Sequence, residues 1–347
     1  MKSHGPLPQA IFDAYAHLGS PIVVENIAIG LINKTYLVST PHTRYVLQEL
    51  SPIFSKAVIE DSVAIANRLV DLGLAAPSHH RTISGQLFVE IATRVFRALT
   101  YIEGTSHHSM ASLEMAESAG RVLGQFHAAL ADLDYCYKNN RRHGGDYRFH
   151  QEILGTALHQ HEGHDYFDRV DPLAQKMLTE SKGLTAGLVT TPRHAHGDPK
   201  ISNIIFNENQ GAICLVDFDT LGLTGWSLEI ADALRSWCNP HQEDSQEAHV
   251  DLHIAESALR GYGSVMRGRI SNKEASEIIV HSQAITLCLA MRFLADVLNE
   301  TYWGFDHKKY ERRADHNWIR ANAMYQLYSD FAQKKKHLTE LVMDSLL

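Results

Sequence analysis

Residues 194–220 read HAHGDPKISNIIFNENQGAICLVDFDT, and the spacing inside this stretch decides the fold. Asp198 is followed two residues on by Lys200 and five residues on by Asn203; after a short insert come Asp217 and Asp219. The insert has its own logic. IIF and ICLV are apolar runs suited to short strands, NENQG is a polar turn with a glycine, and a hairpin there brings Asn203 and Asp217 together. The residue types match phosphoryl transfer, which needs a carboxylate to orient and deprotonate a hydroxyl, cations against spreading negative charge, and oxygen ligands for Mg2+. Asp198 supplies the first. Lys200 can reach the transferring phosphate, and Asn203 and Asp217 offer an amide oxygen and a carboxylate to the metal.

Working outward, 347 residues suit two domains or one two-lobed enzyme, and 44% hydrophobic with 21% charged residues describes a globular chain with a sizeable core. A net charge of −8 argues against a general nucleic-acid binder. No apolar run reads as a membrane span and MKSHGPLPQA lacks a signal-peptide core, so a cytoplasmic protein with no membrane partner is expected. Cys136, Cys214, Cys238 and Cys288 are widely spaced and read as free thiols. HQHEGH at 159–164 lacks HExxH spacing and reads as solvated histidines.

HGDPKISN resembles the HRDLKxxN loop of protein kinases and, more closely, the HGD loop of the aminoglycoside and choline phosphotransferase family. The resemblance implies an α+β, two-lobed, protein-kinase-like fold: a small antiparallel-sheet nucleotide lobe over 1–102 and a large, mostly helical catalytic and substrate lobe over 103–347. It implies ATP and Mg2+ as cofactors. The DFDT sequence keeps a second carboxylate, so Asp219 either touches metal or acceptor or anchors its loop by hydrogen bonds.

A short amphipathic helix is expected over 7–19, then three antiparallel strands between 21 and 50. The turn GLINKTY would lie over the phosphates, using main-chain N–H groups with Asn33 and Thr35. Kinases place a lysine on the third strand, paired with a glutamate on the next helix. Here Gln48 stands at that position and Glu60 is the available glutamate; either Gln48 serves as a neutral donor, or Arg44 or Lys56 substitutes for the lysine. The YIEG that follows the last strand resembles the family's hinge, which implies base contacts from the main chain of Thr100, Tyr101 and Ile102. A helix beginning near 113 has Leu113, Ala116, Ala119, Leu123, Phe126 and Leu130 on one face, with His127 as a core histidine. The polar stretch 134–170 is expected to loop around a helix at 149–159, followed by a helix over 172–184. Helices are then expected near 246–268, 278–300 and 314–337, with Asp232 bracing the catalytic loop and Lys334–Lys336 as a solvated helix end.

Several pieces taken in order, GLINKTYLV, YVLQ, FRALTYIEGT, DPKISN with DFDT, RFLADVL and HNWIRANAMYQL, resemble the N-acetylhexosamine 1-kinase branch. That implies a sugar hydroxyl as acceptor, with Arg292 and Arg320 as candidates to face substrate or phosphate. EIADALRSWC also resembles the homoserine kinase branch, so an amino-alcohol acceptor of homoserine, choline or aminoglycoside type is the alternative. From another class, a nucleotide-binding pseudokinase is supported by the missing strand lysine and opposed by the retained Asp198, Asn203 and Asp217. The partner expected is a small-molecule acceptor, and oligomeric state is left open.

Overall fold

The β-branched and aromatic runs between 21 and 50 form β1 (Val23–Ile27), β2 (Lys34–Ser39) and β3 (Arg44–Leu50), paired antiparallel in sequence. This is a computed structural model that describes residues 7–27, 32–139, 146–184, 188, 191–241 and 243–347. Gly30 and Leu31 of the turn expected over the phosphates lie outside the described residues, as do 140–145 of the histidine-rich stretch. The short helix expected first is α1 (Gln9–Ala14), extended by a 3-10 turn to Leu18. β4 (His79–His80) and β5 (Val89–Ile91) both pair antiparallel with β6 (Arg94–Thr100), giving the order β1-β2-β3-β6-β4 with β5 also on β6.

Side chains alternate across a strand, so the sheet has two packed faces. Tyr45, Leu47, Phe96 and Ala98 meet Ile11, Tyr15 and Leu18 of the N-terminal segment on one side. Leu50 and Val95 meet Val58 and Ile59 of α2 (Ala57–Asp71) on the other. Gln48 and Arg97 share that second face, opposite each other in register.

Beyond Thr100 the chain is mainly helical. α3 (Leu113–Leu130) buries Ala116, Ala119, Leu123, Phe126 and Leu130 as its periodicity predicts, while Leu113 at its start is 44% exposed. Then come α4 (Tyr147–Gln160) and α5 (Phe167–Leu184), with β7 (Arg193–Ala195), β8 (Ile204–Phe206), β9 (Ala212–Leu215) and β10 (Gly222–Thr224) after them. α6 (Trp226–Trp237), α7 (Leu252–Met266), α8 (Asn272–Asn299) and α9 (Arg313–Leu346) complete the chain. α3 and α7 cross at glycines: a Cβ on Gly120 would sit 2.0 Å from the Ala258 carbonyl oxygen, and one on Gly261 1.9 Å from that of Glu117.

Three expectations need correcting. α8 is long and apolar enough to cross a membrane, with mean hydropathy 1.6, but 83% of that window is buried inside the protein; it packs against α4, α5, α6 and α9 and is apolar because it is a core helix. α9 continues well past Lys334–Lys336, so the run is not a helix end, and the Lys334 ammonium bonds the Val250 carbonyl at 2.8 Å and Asp330 at 2.7 Å. His164 is not solvated: its ring lies 3.5 Å from Glu300 and 3.4 Å from the Arg312 guanidinium.

Candidate active site

The insert after Asn203 folds as the hairpin β8–β9, with Ile204 opposite Leu215 and Ile205 opposite Cys214. The Val216 N–H donates to the Asn203 carbonyl at 2.8 Å, so Asp217 follows directly beside Asn203. The catalytic loop enters from β7, which pairs with β10. Gly197 turns it with φ 82°, and a Cβ there would stand 2.1 Å from the Thr220 carbonyl oxygen, so only glycine fits.

The loop is held from below. Glu229, 2% exposed, accepts the His196 N–H at 2.6 Å and the Gly197 N–H at 3.1 Å. Asp232, expected in this role, instead pairs with Arg235 at 2.7 Å. It sits three residues further along α6 than Glu229, nearly one turn on along the same side of the helix. His127 lies 3.8 Å behind Glu229, stacks on Trp226 and bonds the Tyr262 hydroxyl at 2.8 Å. Trp237 Nε1–H donates to the Pro199 carbonyl at 2.9 Å, the Ser236 hydroxyl accepts the Ile201 N–H at 3.0 Å, and the Trp226 indole N–H reaches the His194 carbonyl at 3.1 Å.

Asp198 then projects with defined partners. Lys200 Nζ is 2.6 Å from its Oδ2, and the Asn203 amide donates to its carbonyl at 2.9 Å and to Oδ2 at 3.2 Å. Burial pushes the Asp198 carboxyl up, but the charge and hydrogen bond of Lys200, with His196 and Arg235, more than offset it and hold the group below the ordinary carboxylate range. Asp217, in the left-handed region at φ 68°, is pushed up to about 6 by burial and by the charges of Asp219 and Asp198, with Lys200 and Arg97 opposing.

These residues fit a divalent cation. Asn203 spends its amide nitrogen on Asp198, which leaves the amide oxygen for a ligand, and Asp217 carries negative charge that its surroundings do not balance. Hard oxygen donors of this kind suit Mg2+ or Ca2+.

Asp219 is placed differently. Its carboxylate takes the Asn33 amide N–H at 2.7 Å and Arg97 at 2.9 Å, with a second Arg97 nitrogen at 2.7 Å, and it is 1% exposed. This matches the anchoring role. Arg97, also 1% exposed, was not singled out in the sequence; it donates to Gln48 Oε1 at 3.0 and 2.8 Å. Gln48 donates in turn to the Thr35 hydroxyl at 3.3 Å, and the Asn33 amide oxygen accepts the Ser51 N–H at 2.9 Å. Asn33, Thr35, Gln48 and Asp219 are thus brought together, but around Arg97, with their polar ends turned to protein.

The other candidates for the cation's place lie elsewhere. Arg44 pairs with Glu103 and lies over the Tyr101 ring, and Lys56 pairs with Glu90 at 2.5 Å. Glu60 is bound by Lys138 at the surface, so it faces away from the strand network. The sequence signal for Arg97 was the single basic residue of FRALTYIEG, and nothing local distinguishes that residue from a surface arginine.

At the hinge, Thr100 remains tied to the sheet through Ser78 at 2.8 Å, while Tyr101 and Ile102 leave the ladder. The linker is then clamped onto β8 by two hydrogen bonds of 2.9 Å between Thr105 and Phe206. Arg292 lies 5.0 Å over the Trp303 ring. Arg320 donates to the Gly304 carbonyl at 2.8 Å and lies 5.5 Å over Phe293, which commits it to the turn holding Trp303.

Residues 23–265 match the family model described as "Phosphotransferase enzyme family". A homoserine kinase of Parvibaculum lavamentivorans is 23% identical over 87% of this chain and 90% of its own length. An amicoumacin kinase solved with AMP-PNP and Ca2+ superposes with a TM-score of 0.63 at 14% identity, covering 94% of this chain and 98% of that one. A microcompartment-associated aminopropanol kinase gives 0.62 at 14% identity, covering 96% and 99%. The family match covers most of the chain and the superpositions cover nearly all of it, and the chain belongs to the phosphotransferase enzyme family as an ATP-dependent small-molecule kinase of protein-kinase-like fold.

Proposed function

We propose that this kinase transfers the γ-phosphoryl group of ATP, with Mg2+, to the hydroxyl of a small amino alcohol, with a hydroxy amino acid of the homoserine type as the preferred acceptor. The observation that carries this reading is the match to proteins named homoserine kinase, along nine-tenths of the length of the one from Parvibaculum lavamentivorans. The sugar acceptor implied by the N-acetylhexosamine resemblance finds no such support.

The wall beside Asp198 suits a zwitterion. Asp232 stays above the ordinary carboxylate range because burial and the nearby Asp198 outweigh Arg235, and the buried Tyr147 hydroxyl has no hydrogen-bond partner among the described residues. An ammonium group relieves the first and an acceptor atom the second. Arg292 stacks on Trp303 and supplies a guanidinium for a carboxylate.

In this reading Asp198, held ionised, accepts the proton of the hydroxyl as it attacks, and contributes by orientation as much as by basicity. Lys200 meets the charge on the transferring group. Asn203 and Asp217 hold the metal, which when bound screens the phosphate oxygens. Tyr101 and Ile102 offer main-chain groups to the base.

A coupled ADP-release assay over homoserine, aminopropanol, choline, aminoglycosides and N-acetylhexosamines tests it. Homoserine or aminopropanol is expected to give the highest kcat/KM, with Arg292→Ala raising KM for homoserine more than for aminopropanol, which has no carboxylate. A response to N-acetylhexosamines alone overturns the assignment.

A further inference from the structure

The kinase architecture asks for a cation on the third strand, and this chain has glutamine there. Gln48 pairs in register with Arg97 on the neighbouring strand, and directly opposed residues of an antiparallel pair point to the same face. The positive charge has therefore moved one strand across the sheet while keeping its face. A guanidinium has the reach and the planar set of donors to serve two partners at once, which an ammonium lacks. Arg97 uses them on Gln48 behind it and on Asp219 in front, at 2.7 to 3.0 Å.

Asp219 lies two residues after Asp217, whose φ of 68° is a conformation that non-glycine residues hold only when their surroundings enforce it. The residues that fix the following turn are Arg97 and Asn33, both from the strand lobe, and both bonded to Asp219. The chain thus ties the metal-ligand loop to the sheet by a buried ion pair running between lobes. Glu60, the residue a kinase-like pairing would use, is at the surface on Lys138.

We infer that Arg97 and Asp219 together replace the strand-lysine and helix-glutamate pair, acting as positioning residues that set Asp217 for the metal-bound nucleotide. This rests on the kinase reading but not on the identity of the acceptor. Arg97 does its work through Asp219 and not by reaching the transferring group itself, since both ends of its guanidinium are bound to protein.

The test compares Arg97→Lys, Arg97→Met, Asp219→Asn and the Arg97→Met/Asp219→Asn double variant by calorimetric titration with AMP-PNP, with and without Mn2+, alongside melting temperature. Each single variant is expected to weaken the Mn2+-dependent gain in AMP-PNP affinity about tenfold or more, consistent with the loss of one charge-assisted pair. Metal-free AMP-PNP binding and the acceptor KM should move far less. Arg97→Lys should fail to restore the gain, and the double variant should lose less than the two singles combined. Should Arg97→Met not fold, Asp219→Asn, which keeps the shape of the side chain, decides the matter. A lowered melting temperature with a wild-type Mn2+ gain in the folded variants overturns the inference and makes the pair a stabilising contact only; so does full recovery by lysine. An acceptor screen in which no amino alcohol responds would sink the acceptor assignment without touching this measurement.

Discussion

Asp198 and Asp217 sit close in the same site with opposite electrostatics. Asp198, held low by Lys200, stays ionised throughout the neutral range, whereas Asp217 is pushed up to about 6. Between its ordinary value of 3.8 and about 6, the folded metal-free protein keeps a proton on Asp217 that the unfolded chain has released. Stability therefore falls as pH rises through that window. Asp217→Asn is expected to raise the melting temperature of the metal-free protein at pH 8 by a few degrees and to flatten its pH dependence there, as differential scanning fluorimetry would record. Because a metal must displace that proton, Mg2+ affinity of the wild type should drop about tenfold for each pH unit below 6, measured by titration at fixed nucleotide. That Asp198, Asn203 and Asp217 come together was readable because it rests on spacing within one stretch. Arg97 was not, since its role comes from a strand pairing that places residues 48 and 97 side by side and from an ion pair that spans 122 positions.

At the level of elements, the hairpin β8–β9 and α6 convert a loop into a site. The hairpin was legible from two apolar runs around NENQG. The brace was assigned to Asp232 and belongs to Glu229, because only the actual rotation of α6 decides which acidic side chain turns to the loop. Glu229→Ala removes an acceptor from the buried N–H groups of His196 and Gly197 and leaves them unpaired, which should cost about 1–3 kcal/mol of stability in denaturant melts. The folded fraction should show a lower kcat with nearly unchanged nucleotide affinity. The α3–α7 crossing gives a contrast: Gly261→Ala should destabilise by about 1–3 kcal/mol through steric conflict with the Glu117 carbonyl while leaving kcat intact. Helix ends were the least legible part, since α8 begins at a Ser271–Glu274 capping box and α9 runs through its lysines on the strength of contacts to residues near 250.

Across the whole molecule, the two lobes are joined by a linker pinned at Thr105 to β8, and by the bonds of Asp219 to Asn33 and Arg97. Gly104 passes so close to the Phe206 carbonyl that a Cβ would stand 2.5 Å from it. Gly104→Ala should therefore displace the hinge and raise KM for ATP several-fold with a smaller change in kcat, measurable in steady-state assays. The two-lobed fold was legible because strand-rich sequence precedes the hinge and helical periodicity follows it; the acceptor was not, because the wall proposed for it draws on α4, α6, α8 and the turn before α9, whose local patterns report core packing. All of this depends on Asp198 standing at the reacting hydroxyl of a site that binds nucleotide independently of it. The direct measurement is Asp198→Asn, with turnover followed by ADP release at saturating homoserine or aminopropanol and AMP-PNP affinity followed by calorimetry on the same sample. A loss of about a thousandfold in kcat with affinity kept within about threefold is the predicted result. Turnover equal to that of the wild type would contradict it.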